Sequence, residues 1–298
     1  MKILVTGHKG FIGHNMTAWL QQEPDWEVVG WEWDPNDFPD VTPYDWVIHL
    51  GAIADMTSTD VDSILKQNLE FSQWLFNECN KHGTHLQYAS SSSVYGDTKN
   101  FSEHAACHPQ TPYAWSKYLF DRWVFQQPIN IYVQGFRYFN VYGKWMHLRG
   151  KRANAIHKWR EQARKEGKLT VWENAEHIYR DWLWVGDLCK LQIDFIKQVN
   201  GSGIWNVGTG LSHSFLDIAE EIAEKPVLKR EYVTKQVVQV SGTKQQSEQA
   251  QVKIGAKREA EAPEVQVENV DVTNVEKSSS EELSGSNQLE PDKELKHT

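Results

Sequence analysis

The stretch KILVTGHKGFIGHN, residues 2–15, decides the fold. KILVT is a β-branched apolar run that ends at Gly7, and Ile12, Met16, Trp19 and Leu20 then recur at helical intervals. It therefore reads as strand, tight turn and helix. Between the two elements the glycines fall as G-x-x-G-x-x-G: Gly7 permits the turn, Gly10 lets a pyrophosphate approach the backbone, and Gly13 lets the helix pack closely, its N-terminus facing the negative charge. This predicts a dinucleotide site, with Phe11 and Ile12 opening the helix beside the ligand; a glycine turn with no ligand is the competing reading. An acid is expected about 20 residues on, at the adenosine ribose. Glu32, just past VVGW, stands there, with Asp34 as runner-up. A carboxylate in that place repels a 2'-phosphate and favours NAD, whereas His8 and Lys9 could each meet a phosphate and keep NADP open.

Outward from this unit the pattern repeats. WEVVGW (26–31) and DWVIHL (45–50) read as strands, with Leu50 and then Ala52 leading into the next loop; 60–80 is helical, and THLQYAS (84–90) is a strand. A helix from about Tyr113 to Phe125 precedes the strand INIYVQGFRY (129–138). Strands alternating with helices predict an α/β protein: a Rossmann-type, doubly wound parallel sheet with ligands at the carboxyl ends of its strands. The proline-rich, acidic segment PNDFPDVTPY (35–44) is too short for another helix and strand, so one βα unit is cut down or missing. Residues 151–166 look helical, LTVW (169–172) like a strand, DWLWVGDL (181–188) like a strand turning helical near Asp187, and GIWNVGTG (203–210) like a strand and glycine turn. Ser214 with Asp217 has the form of a capping box.

All 14 Trp, 10 Tyr and 11 Phe lie in the first 232 of 298 residues. The expected division is a mainly NAD(P)-binding part at 1–167, a smaller, mainly substrate-binding lobe at 168–240 with chain crossing between the two, and an acidic tail at 241–298. The tail has 7 Lys/Arg against 12 Asp/Glu; its composition favours disorder, although VVQV (237–240) and VQVENVDV (265–272) could each add an edge strand. A net charge of −9 argues against nucleic acid as a partner. Cys79, Cys107 and Cys189 lack metal-ligand spacing and suit a reducing compartment. No secretory segment and no run of 18 apolar residues is present, so a cytoplasmic protein is expected, with no membrane partner and no metal.

TPYAWSK (111–117) places Tyr113 and Lys117 one helical turn apart, after the serine run ASSSSVYG (89–96). A phenol, with a reference pKa of about 10, is a poor base at neutral pH. Lys117 and an oxidised nicotinamide would both favour its phenolate, making Tyr113 a general base for a substrate hydroxyl while Ser91 holds the same oxygen. A surface helix with a tyrosine packed sideways is the bland alternative.

MKILVTGHKGFIGHN, DWVIHLGA, LQYASSSSVYG, PYAWSK, GFRYFNVYG, YRDWLWVGDL and GIWNVGTG, spread over roughly residues 1–230, together resemble the extended short-chain dehydrogenase/reductase family, specifically its nucleotide-sugar epimerases, with the ADP-heptose 6-epimerase type nearest. The resemblance implies hydride loss from a nucleotide-diphosphate sugar to bound NAD(P), a transient keto-sugar, and return of the hydride to the opposite face. It implies Ser91, Tyr113 and Lys117 as the catalytic trio, Asn68 and Ala52 on the cofactor side, and Ser91, Ser92, Asn140, Arg149 and Arg180 on the substrate side. A homo-oligomer is implied as well. Asn140 capping a turn, and Arg180 pairing with Asp181 or Asp187, are the structural alternatives.

Three departures accompany the likeness. Ser92 and Ser93 stand where the family's dehydratases carry an acid pair, which disfavours loss of water. Arg149 stands where the heptose type has a lysine; a guanidinium stays charged, so Lys144, His147 and Lys151 become alternative proton carriers. The short 35–44 segment alters the adenine side, and the chain beyond 232 lacks the recognisable end of the substrate lobe. A single-direction reductase or a non-catalytic nucleotide-sugar binding protein remain the rival functions.

Overall fold

The computed structural model describes residues 1–198, 201–224, 228–232 and 236–240. The expectation of a disordered tail, and the possible strand at 265–272, lie outside them.

Six strands form one parallel sheet: β1 (Lys2–Thr6), β2 (Glu27–Trp31), β3 (Trp46–His49), β4 (His85–Ser91), β5 (Val133–Tyr138) and, far along the chain, β9 (Gly203–Val207), in the order β2-β1-β3-β4-β5-β9. Parallel strands covered on both faces need continuous apolar runs, and every residue of β3 and β5 is buried. On one face lie α1 (Phe11–Leu20) and α6 (Val185–Gln198), whose Met16, Leu20, Leu188 and Ile193 pack with Ile3, Val5 and Phe136. On the other lie α3 (Phe71–His82) and α4 (Pro112–Val124), whose Phe76, Leu75, Phe120 and Val124 pack with Val47, Leu86 and Val133.

Residues 32–45 carry no helix or strand, so β2 is the sheet's edge. An aromatic cluster occupies this flank: Trp31 stacks on Phe71 at 5.1 Å, and Phe38 meets Trp74 at 4.6 Å. The helical stretch read at 60–80 is divided into α2 (Val61–Leu65), a π-helical turn at Lys66–Glu70, and α3.

After β5 the chain leaves the large sheet. The remaining elements are β6 (Asn140–Tyr142), α5 (Ala155–Glu166), β7 (Lys168–Thr170), β8 (Tyr179–Trp184), β10 (Ser212–Ser214), α7 (Phe215–Glu224), β11 (Leu228–Tyr232) and β12 (Gln236–Val240). β8 pairs parallel with β6 and antiparallel with β10, whereas β12 pairs antiparallel with both β11 and β7. VVQV is thus part of a strand. Trp159, Leu169, Trp182 and Ala219 form a separate core here. The capping box is present in both directions, Ser214 N–H donating to Asp217 Oδ2 and Asp217 N–H to Ser214 Oγ, each at 3.0 Å.

Candidate active site

At the carboxyl ends of the strands lies a cavity of about 1380 Å³. Ser91, Ser92, Tyr113, Lys117, Asn140, Arg149 and Arg180 all line it, together with Ile12, Leu50 and Ala52. The catalytic and substrate-side residues expected from sequence are thereby brought to one space. Gly7, Gly10, Phe11, Gly13, Glu32 and Asn68 lie outside its walls.

The glycine turn is built as its spacing requires. Gly7 has φ +72°, and a Cβ on it would come within 2.5 Å of Gly51 Cα; a Cβ on Gly13 would come within 2.0 Å of Gly7 O. Gly10 differs, since a Cβ there would meet only Gly7 O at 3.3 Å, so the protein itself does not demand a glycine. Gly10 is also the N-cap of α1 and supplies no side-chain cap. Phe11 is buried in the core. Glu32 Oε1 accepts the Lys9 N–H at 2.6 Å and lies 3.1 Å from His8 Nδ1, so the expected ribose acid also braces the turn. Asn68, buried inside the π-helical turn, accepts the Ile53 N–H and donates to Ile53 O and Ser116 Oγ. It fastens the loop after β3 to α4, and reaches the cavity only through that loop.

Thr111 caps α4 by accepting the Ala114 N–H, with Pro112 at the first helical position, which places Tyr113 in the first turn and Lys117 one turn on. Ser91 ends β4, and its Oγ accepts from Ser93 N–H at 3.2 Å and Ser93 Oγ at 2.9 Å. Burial pushes the Tyr113 phenol up, against a hydrogen bond with Ser91 and the Arg149 charge, both of which pull it down. The sequence assigns such help to Lys117 and an oxidised nicotinamide; Arg149 is a further cation that lowers the phenol. Arg149 is fixed by donating from Nη2 to Ala54 O at 2.8 Å. Lys117 is itself 4% exposed, and burial lowers it to about 8, with Asp121 opposing. Arg149 lines the cavity, whereas none of the three alternative proton carriers does: neither Lys144, whose ammonium sits 4.1 Å over the Trp145 ring, nor His147 or Lys151.

Neither structural alternative is seen among the described residues. The Asn140 side chain makes no turn-capping hydrogen bond among the described residues, and Asp181 accepts from Thr209 N–H, Thr209 Oγ1 and Gly210 N–H rather than from Arg180. Arg180 donates to Tyr179 O and lies 5.8 Å from the Phe215 ring.

Beneath the trio sits a network that sequence reading missed. Asp121 accepts from Tyr88 OH, Ser90 Oγ and Arg137 Nε; Arg137 donates onward to Tyr95 OH and Glu103 O. Glu103 accepts the Asn206 N–H, which ties the cavity-lining loop to β9. Only the spacing of Asp121, one turn beyond Lys117, offered a signal. The described residues contain no cluster of three or more His, Cys, Asp or Glu able to hold a metal, and no helix among them is long and apolar enough to cross a membrane.

Comparison with known proteins agrees with this fold. Residues 3–208 match the model of the NAD dependent epimerase/dehydratase family. The ADP-L-glycero-D-manno-heptose-6-epimerase of Brachyspira hyodysenteriae is 34% identical over 184 residues, 60% of this chain and 58% of that protein, so the chain spans little more than half the length of this relative. The enzyme of the same name from Thiobacillus denitrificans is 31% identical over 250 residues, 72% of this chain and 75% of that one. The crystal structure of Helicobacter pylori ADP-L-glycero-D-manno-heptose-6-epimerase superposes with a TM-score of 0.70 at 25% identity, covering 75% of this chain and 82% of that one. Thermus thermophilus UDP-glucose 4-epimerase in complex with NAD gives 0.63 at 25% identity, covering 75% and 83%.

Proposed function

Because the chain belongs to the NAD dependent epimerase/dehydratase family, we propose that it is a nucleotide-sugar epimerase that uses NAD and acts on an ADP-heptose through a transient keto-sugar. The observation that carries this reading is the convergence of Ser91, Tyr113, Lys117 and Arg149 on one cavity that Ile12, Leu50 and Ala52 also line.

The residues present fit a dinucleotide. Gly10 has space above it that a side chain would take from a ligand, and the uncapped start of α1 offers N–H groups to a pyrophosphate. Gly7 to Gly13 would hold the diphosphate, Glu32 the ribose, Leu50 and Ala52 the nicotinamide side, with Tyr113 and Lys117 at its reactive end; Asn68 acts through Ile53. NAD, when bound, accepts a hydride from the sugar carbon and returns it to the opposite face, so the net reaction is an isomerisation with no redox change.

The protein's part is to move one proton and hold the charges. Tyr113 takes the carbinol proton as the ketone forms and gives it back when the alcohol is restored. Ser91 receives both Ser93 contacts on its oxygen, which leaves its own proton for the Tyr113 and sugar oxygens. Arg149 favours the phenolate by its charge and, being permanently protonated, does not serve as a second proton carrier. Arg180 and Asn140 line the same cavity, and there the guanidinium would meet a diphosphate.

The test is incubation of the purified protein with ADP-heptoses and with UDP- and GDP-hexoses, reading the stereoisomer formed and any cofactor that co-purifies. Tyr113→Phe is expected to lower turnover by about 10²- to 10⁴-fold while cofactor stays bound. Undiminished activity in that variant would remove Tyr113 as the base, and net consumption or release of reduced cofactor during turnover would make the protein a reductase or other oxidoreductase instead.

A further inference from the structure

A buried chain of hydrogen bonds runs beneath the site through side chains of which the proposed chemistry uses only Asn68. Thr6 Oγ1 and His49 Nδ1 are 2.6 Å apart, and His49 Nε2 and Ser72 Oγ are 2.9 Å apart. Ser72 Oγ donates to Asn68 O at 2.7 Å, Asn68 Nδ2 to Ser116 Oγ at 3.1 Å, and Ser116 Oγ to Tyr113 O at 2.7 Å. Thr6, His49, Asn68, Ser72 and Ser116 are all buried. The chain passes through the π-helical turn, which Phe71 closes by donating its N–H back to Lys66 O. Such turns recur at functional sites.

Proton counting orients every link. A hydroxyl has one proton to donate. Ser72 commits its own to Asn68 O, so the contact with His49 needs a proton from the ring, which makes His49 the Nε2–H tautomer. Nδ1 is then an acceptor and takes the Thr6 proton, while Thr6 Oγ1 accepts the Gly51 N–H at 3.4 Å. All donors point one way, from the end of β1 to the backbone of Tyr113. Reversing the ring would turn the Ser72 proton toward His49 and away from Asn68 O.

We propose that His49 is a positioning residue: held in one tautomer between Thr6 and Ser72, it locks the first turn of α4, and with it Tyr113, to the strand end where the glycine turn begins. The proposal rests on Tyr113 as the base and adds the element that sets its place relative to the cofactor side. His49 remains neutral there, since burial and the Lys117 charge lower it to about 3. Its ring packs edge-on to Phe71, with centroids 5.6 Å apart, which leaves the two ring nitrogens as its only polar duties.

Thr6→Val tests this in the full chain, because it keeps the side chain's shape and removes the proton that Nδ1 accepts. Imidazole ¹⁵N NMR should show wild-type His49 as the single Nε2–H tautomer and the variant as a mixture. In protein labelled with ¹³C at the tyrosine Cζ, the Tyr113 titration should move up in the variant, because displacement weakens the Ser91 and Arg149 interactions that hold it down. With an accepted sugar, kcat should fall about tenfold or more with KM within about twofold, the signature of a misplaced base. Thr6→Ser, which keeps the hydroxyl, should restore all three readouts; Ser72→Ala, which breaks the next link, should raise the Tyr113 titration as Thr6→Val does and covers the case in which that variant does not fold. A wild-type ring found as Nδ1–H or charged at neutral pH, or a Thr6→Val protein whose Tyr113 titration matches the parent, would overturn the proposal. If the wild type turns over no sugar, the epimerase reading fails, and the tautomer and the phenol titration still decide the role of His49.

Discussion

Replacing Asp121 by Asn probes how much the fold depends on the ion pair under the site. The Asp121 and Arg137 side chains are 0% and 5% exposed, with Nε to Oδ2 at 3.0 Å. Asp121 accepts three hydrogen bonds, from Tyr88, Ser90 and Arg137. The amide removes the carboxylate that pairs with a buried guanidinium and turns a donor toward groups that are donors themselves. Breaking a buried pair from one side costs about 3–5 kcal/mol. Against a total stability of about 5–15 kcal/mol for a folded chain, that is a large fraction. Urea unfolding at neutral pH, followed by tryptophan fluorescence, should show this loss as a lower midpoint with unchanged slope. A double variant, Asp121→Leu with Arg137→Met, should cost less than Asp121→Asn alone, because it removes the stranded charge as well as its partner. An Asp121→Asn protein within about 1 kcal/mol of the parent would refute the argument, since it would mean that water or another group already compensates Arg137.

Two further predictions concern the site's cations. Lys117 has a folded value of about 8 against an ordinary 10.5, so between these the folded chain sheds a proton that the unfolded chain keeps, and stability rises with pH. The unfolding free energy of the parent should gain about 2 kcal/mol over Lys117→Met on going from roughly pH 7.5 to pH 9.5; a constant difference would mean that Lys117 titrates normally. Arg149→Ala removes a charge that lowers the Tyr113 phenol, and each unit of rise costs about tenfold in phenolate at neutral pH, so kcat should fall and recover with alkalinity, whereas Arg149→Lys should retain most of it. Unchanged kcat and KM in Arg149→Ala would take Arg149 out of the site.

What was legible in sequence was local. The glycine turn announces itself because one residue needs a positive φ and another tolerates no Cβ, and both demands act within seven residues. The Ser214 and Asp217 box spans only four residues. The missing βα unit showed as a length too short to build one. Contacts between distant segments were not visible. The Arg149 charge acts on Tyr113 from the segment between β6 and α5, where Gly143 and Gly150 have positive φ, and no periodicity reports where such a segment will deliver a side chain. The π-helical turn was read through as ordinary helix, since one extra residue does not change which positions are apolar. His49 and Asp121 looked like parts of a buried strand and a helix face; their roles arise from partners 23 and 16 residues away.

The proposed epimerisation requires hydride to leave and return to one carbon without exchange. ADP-heptose deuterated at carbon 6 should yield its epimer with the deuterium still on that carbon, with no hydrogen from solvent and no net reduced cofactor, as mass spectrometry and NMR of the product would read. An epimer that carries solvent hydrogen at carbon 6 would contradict it, because the stereocentre would then have been inverted by proton exchange and not by the removal and return that Tyr113 and Lys117 are placed to support.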